Sequence, residues 1–208
     1  MNRTYNIIWN YARNMYIVAS EFSRGDSKTR SRVRAGGAIA TFILSGIAGS
    51  ALATDRTFEA VPGDNEISGE YSTTENVTAA VTANGSDVVV NDSGALTIST
   101  SGDSAMGLYV FNGAKVTLDD PNTTITTSGY GMARGIVNQQ GTVTLANVTI
   151  KTTGDFGNAG IFNNGEMTGT GVTISTTGSE SYGIQNYTQT FTFDSSKIDT
   201  YGEKSIGL

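Results

Sequence analysis

Between Val88 and Leu208 the apolar residues recur at two linked positions. Ile98, Ile125, Ile150, Ile174 and Ile198 are separated by 27, 25, 24 and 24 residues, and each is followed four residues later by a glycine: Gly102, Gly129, Gly154, Gly178 and Gly202. A second anchor, glycine followed by Leu or Ile, stands at Gly107-Leu108, Gly135-Ile136, Gly160-Ile161, Gly183-Ile184 and Gly207-Leu208. Within each interval the inward positions alternate, as in Val143 with Leu145 and Val148 with Ile150, and period-two alternation marks strand. The step from Leu145 to Val148 is three residues, so the chain must turn a corner there to keep its apolar side inward. Phe191, Phe193, Ser196 and Ile198 repeat that spacing, as do Met167, Gly169, Val172 and Ile174. From Leu118 to Thr123 the step is five, which predicts a longer turn at Asp119-Asp120-Pro121-Asn122.

Three short strands per repeat, separated by turns of Gly, Asn, Asp and Ser, predict an all-β chain built as a parallel β-helix. One coil cannot bury its inward side chains, but coils stacked about 4.8 Å apart give every strand a neighbour and create a continuous core, a rod of roughly 25 Å. The repeats are assigned to residues 88–208, and the weaker periodicity of 54–87 predicts a leader and an N-terminal capping coil. On the third strand Asn138, Asn163 and Asn186 lie two residues after Ile136, Ile161 and Ile184. They are predicted to point inward as a structural ladder of stacked amides, which satisfies groups that would otherwise cost about 1–3 kcal/mol each. Val110 fills that place one repeat earlier.

Ahead of the repeats the pattern changes. In residues 26–53 the basic segment Lys28-Thr29-Arg30-Ser31-Arg32-Val33-Arg34 leads into an apolar run from Ala35 to Ala48 and the small-residue pattern Ala51-Leu52-Ala53. This is a signal peptide with cleavage after Ala53, leaving Thr54 as the mature start. Glycines and serines dilute the run and no stop-transfer charges follow, which argues against a membrane anchor. Residues 1–25 form a further prefix that ordinary signals lack, and the whole signal segment is expected to be helical.

The prefix carries Met1-Asn2-Arg3, Tyr5, Ile8-Trp9-Asn10, Val18-Ala19-Ser20-Glu21 and Arg24-Gly25. On these residues it resembles the extended signal peptide region of type V secretion proteins, the autotransporters and their relatives in Gram-negative bacteria. That family more often has Lys at the place of Arg3 and Leu at that of Phe22. The resemblance implies engagement of the inner-membrane export machinery and removal of the segment afterwards. By pattern alone, residues 88–208 are similar to the right-handed, pertactin-like β-helix passenger of classical autotransporters.

Charge divides at the cleavage site. Residues 1–53 hold seven Lys or Arg and two acids, a net of +5, while residues 54–208 hold six basic residues and seventeen acids, a net of −11. An acidic surface disfavours nucleic acid and bare anionic lipid. The chain has no Cys, hence no disulfides, and no His, the usual base of a serine triad and the commonest metal ligand.

Asn91-Asp92-Ser93-Gly94 is similar to the segment around the nucleophile of serine protease passengers, but without a His it is read as a turn between strand segments. Asn147-Val148-Thr149 is a sequon of little weight because Val148 belongs to the core. Asp119 with Asp120 lacks a glycine-rich calcium repeat and is read as a solvated turn. No catalytic, cofactor or metal site is predicted. Tyr130, Arg134, Phe156 and Tyr182 fall in the turns between the paired glycines and are expected to be exposed.

The resemblance implies an interaction protein: the N-terminal part of a passenger similar to the diffuse-adherence adhesins, serving adhesion to a host cell surface or self-association. One alternative is an enzyme whose catalytic domain lies beyond residue 208, and another is a two-partner secreted haemagglutinin-like protein. A translocator β-barrel, with its apolar outer band, is absent from this sequence, which stops at Leu208 in mid-coil. A truncated or partial product is therefore expected, periplasmic by itself and on the cell surface or outer membrane when full-length. N-terminal sequencing of exported material should begin at Thr54; a start well before residue 50, or retention of Trp9, contradicts that boundary.

Overall fold

The computed structural model describes residues 55–188 and 190–208 in full, together with the backbone of two strands near the N-terminus. Those strands, β1 (Asn6–Asn10) and β2 (Met15–Ala19), pair antiparallel with Ile8 opposite Ile17. This stretch was expected to be helical; the described part of it is strand, in keeping with its β-branched and aromatic residues Ile7, Ile8, Trp9, Tyr16, Ile17 and Val18. Ile8, Trp9 and Asn10 of the extended signal motif thus lie on β1, while Tyr5, Ser20 and Glu21, the apolar run and the cleavage residues Ala51, Ala53 and Thr54 lie outside the described residues.

The second unit is an all-β parallel solenoid of about six turns. Its strands are β3 (Phe58–Glu59), β4 (Gly63–Thr73), β5 (Ala79–Asn84), β6 (Val88–Thr100), β7 (Met106–Phe111), β8 (Lys115–Leu118) and β9 (Thr124–Thr127). There follow β10 (Arg134–Ala146), β11 (Thr149–Thr152), β12 (Ala159–Thr170), β13 (Thr173–Thr176), β14 (Tyr182–Asn186), β15 (Phe191–Asp194) and β16 (Lys197–Thr200). All their ladder pairings are parallel and join each coil to the next.

Three faces result. The isoleucine face stacks Tyr71, Ile98, Ile125, Ile150, Ile174 and Ile198 in register. The glycine-led face stacks Phe58, Val81, Leu108, Ile136, Ile161 and Ile184. The third face stacks Asn65, Val90, Val116, Val143, Met167 and Phe191. Ile98, Ile125, Ile150 and Ile174 are completely buried, as are Leu108, Ile136 and Ile161. Shape is matched between rungs as well. Gly169 sits between Leu145 and Phe193, and a Cβ there would meet the Phe193 ring at 2.7 Å.

Stacking begins ahead of Val88. Residues 58–84 form coil strands in register with those that follow, so the segment assigned to a leader and cap carries the same three faces. The period is hard to read there because Tyr71 and Phe58 occupy the places of later Ile and Leu, and Glu75 lies against Gly102 where later coils stack glycine on glycine.

The corners explain the spacing. At the three-residue step after Leu145 a single residue, Asn147, turns the chain with φ of 57°, and Gly171 and Ser195 do the same one and two coils on, with φ of 66° and 49°. One left-handed residue redirects the strand so that Leu145 and Val148 both point inward. The longer turn at Asp119–Asn122 has its own support. Asp92, buried on the previous coil, accepts hydrogen bonds from the backbone N–H of Asp119 at 2.8 Å and of Asp120 at 3.1 Å, and from the Thr123 hydroxyl at 2.7 Å. Asn91-Asp92-Ser93-Gly94, read as a turn between strand segments, stands where the chain passes from the third face to the isoleucine face. It lies within β6, where the pairing with β4 shifts register, and Asp92 faces the interior because the neighbouring turn needs an acceptor.

Asp92→Ala would leave two N–H groups and a buried hydroxyl without that acceptor. It should lower unfolding free energy by about 3 kcal/mol, measured by urea denaturation; wild-type stability would show that the turn holds without it.

Candidate interaction surface

The predicted amide row is the most polar part of the interior. Asn138 and Asn163 are fully buried. The Asn138 amide donates to Asn163 Oδ1 at 2.8 Å, and the Asn163 amide donates to Asn186 Oδ1 at 2.8 Å. Each also braces the corner after its own strand: Gly141 N–H donates to Asn138 Oδ1 at 2.9 Å, Gly165 N–H to Asn163 Oδ1 at 3.3 Å, and the Asn186 amide to the Thr188 carbonyl at 2.7 Å. Asn186 is exposed. The row therefore joins coil to coil and closes the turn between the glycine-led and third faces. Its donors and acceptors are directed to other protein groups, and this geometry serves the fold.

Two further inward rows were not anticipated. Asn158 accepts from Ala133 N–H at 2.7 Å and donates to the Gly129 carbonyl at 3.1 Å, and Ser181 and Ser205 follow it at the same corner, donating to the carbonyls of Gly154 and Gly178. Thr100, Thr127, Thr152 and Thr176 stack two residues after the isoleucines, buried and without a protein partner for their hydroxyls. The signal for both was present in the sequence: a Thr two residues after the Ile anchor, and an Asn or Ser two residues before the paired glycine at Gly160, Gly183 and Gly207. Among the described residues no three His, Cys, Asp or Glu side chains gather as a metal site.

Of the four expected turn residues, Tyr130 and Phe156 do sit at the corner before the glycine-led face, exposed and tilted against each other at 5.2 Å. Arg134 and Tyr182 differ: they open strands β10 and β14 and are half-buried. The Arg134 guanidinium lies 4.5 Å over the Phe162 ring, a cation–π contact, and burial lowers its pKa from the usual arginine value. It keeps its charge, because arginine titrates far above neutral pH. Met132, like Phe156, is exposed and adopts positive φ at this corner, 58° and 65°, which places their side chains outward.

Asn163→Ala should cost about 2–3 kcal/mol, since it breaks both links of the ladder at once and leaves Gly165 N–H without its acceptor inside the corner, whereas Asn186→Ala at the exposed rung should cost under about 1 kcal/mol. Equal effects in thermal unfolding would refute a cooperative ladder.

Residues 1–49 match the family described as Extended Signal Peptide of Type V secretion system. No curated protein and no solved structure matches the chain. The matched segment includes the prefix, the basic stretch and the apolar run, and it directs export from the cytoplasm through the inner-membrane machinery. This chain therefore carries the extended signal peptide of the type V secretion system, followed in sequence by a parallel β-solenoid.

Proposed function

We propose that the solenoid is the N-terminal part of an autotransporter passenger that acts in adhesion or self-association at a Gram-negative cell surface. The observation that carries this reading is the order of the two parts: an extended type V signal, then stacked coils whose interior is filled. A filled interior leaves the outer faces to meet partners. The absence of His from the whole sequence favours contact over hydrolysis.

The test is display. The full chain, signal included, is fused to a functional translocator, and cell aggregation and host-cell binding are compared with cells carrying the translocator alone. Displayed chain should raise one or both. Residues 54–208 carry a net charge of −11 from six basic and seventeen acidic residues, so aggregation should strengthen as added salt screens repulsion. Unchanged aggregation and binding, together with hydrolase activity in the displayed product, would overturn the reading in favour of an enzyme.

A further inference from the structure

The three outer faces differ in kind. The isoleucine and third faces turn mostly Thr, Ser, Lys, Asp and Glu outward. The glycine-led face instead presents Tyr109, Phe111, Phe162, Tyr182 and Tyr187, and the stretches that form it, 79–84, 106–111, 134–139, 159–164 and 182–186, contain one charged residue, Arg134, and no carboxylate. In a chain with seventeen acids after residue 53 that is a marked local neutrality.

Along the edge of this face runs a single file. Asn84, Phe111, Gln139 and Asn164 are register neighbours on successive coils, and Tyr187 follows on the next. Tyr187 is 65% exposed, and Asn84, Gln139 and Asn164 are exposed too. The aromatic ends are held in place. Tyr109 stacks on Phe111 at 4.4 Å and donates its hydroxyl to Gln139 Oε1 at 2.7 Å, while Tyr187 leans on Phe162 at 5.3 Å. Phe111 and Tyr187 are three rungs apart, about 14 Å at the spacing of paired strands, the length of about three linked pyranose rings.

We infer that this file is a binding strip for a neutral glycan chain, an assignment that rests on the adhesin reading and names its contact surface. Aromatic rings offer flat apolar platforms for the C–H faces of sugars, and side-chain amides donate and accept as sugar hydroxyls do. The open, linear strip suits a linear ligand rather than one enclosed in a pocket. Charge decides among partners: the acidic body repels anionic glycans and nucleic acid, and two copies of the chain repel each other, whereas a neutral chain meets no such barrier.

The test uses the chain exported by its own signal and purified after processing, titrated calorimetrically with cellotetraose, chitotetraose, mannotetraose and a sialylated tetrasaccharide. At least one neutral probe should bind saturably and more tightly than the sialylated one. Phe111→Ala, Tyr187→Ala and Gln139→Ala should each weaken it by about fivefold to tenfold, with circular dichroism unchanged, while Thr126→Ala on the isoleucine face should not. Should Phe111→Ala misfold, the exposed Tyr187→Ala carries the comparison. No binding of any neutral probe, tighter binding of the sialylated one, or wild-type affinity in the strip variants overturns the assignment. So does sedimentation showing that the variants abolish self-association while no sugar binds, which gives the strip to a second copy. Adhesion of displayed cells without sugar binding would sink this inference alone; sugar binding without adhesion would sink the adhesin reading alone.

Discussion

The solenoid depends on how closely consecutive coils approach at two files of glycine. At Gly129, Gly154, Gly178 and Gly202 an added Cβ would fall on the carbonyl oxygen of the glycine one coil back, closer than 3.0 Å. At Gly107, Gly135, Gly160 and Gly183 it would strike a carbonyl of the adjacent coil and also the Cγ2 of Ile125, Ile150, Ile174 or Ile198 on the same coil. None of these eight glycines needs a left-handed backbone. They are there for space. The two sequence anchors are thus one device: each isoleucine packs on the glycine that opened the glycine-led face earlier in the same coil, and the backbone can stack there because both glycine files are bare.

Once the coils are held at that separation, the remaining inward positions follow. Aliphatic residues stack on like residues, and polar ones recur as rows at fixed places: the amides of Asn138, Asn163 and Asn186 are linked from coil to coil, while the threonine row stacks without hydroxyl partners. Asp92 is the exception in an apolar file, lying between Ile67 and Leu118, and it persists because the turn at Asp119–Asn122 supplies three donors. Salt bridges contribute little to this. Lys197 with half-buried Asp199 and Lys204 with Glu180 both rely on exposed ammonium groups and are worth little in water. Outward positions are under none of these constraints, which leaves one face free to be aromatic and neutral while the others are charged.

Much of this was legible in the sequence because it is periodic. The strand alternation, the three-residue corner after Leu145, the longer turn after Leu118 and the inward direction of the amide row can be read from spacing, since spacing alone sets which face a side chain takes. What spacing does not show is substitution within a file. Tyr71 and Phe58 replace aliphatic residues and hide the first coil, and Asp92 replaces Leu and resembles a turn residue. Arg134 and Tyr182 lie so near the paired glycines that strand and corner cannot be told apart without the backbone. The signal was legible by motif, not by periodicity, and the family match covers residues 1–49, the stretch that holds the motif. The aromatic strip was out of reach because its members lie 23 to 28 residues apart and become neighbours only through register.

The most direct measurement compares Gly154→Ala with Gly207→Ala by thermal and urea unfolding. Neither position has a positive φ, but a Cβ at Gly154 would overlap the Gly129 carbonyl, whereas at Gly207 its nearest neighbour is Ile198 Cγ2 at 3.9 Å. If close approach of the coils governs the fold, Gly154→Ala should lose at least about 3 kcal/mol or fail to fold, and Gly207→Ala should unfold like the wild type. Equal stability of the two variants would contradict the account.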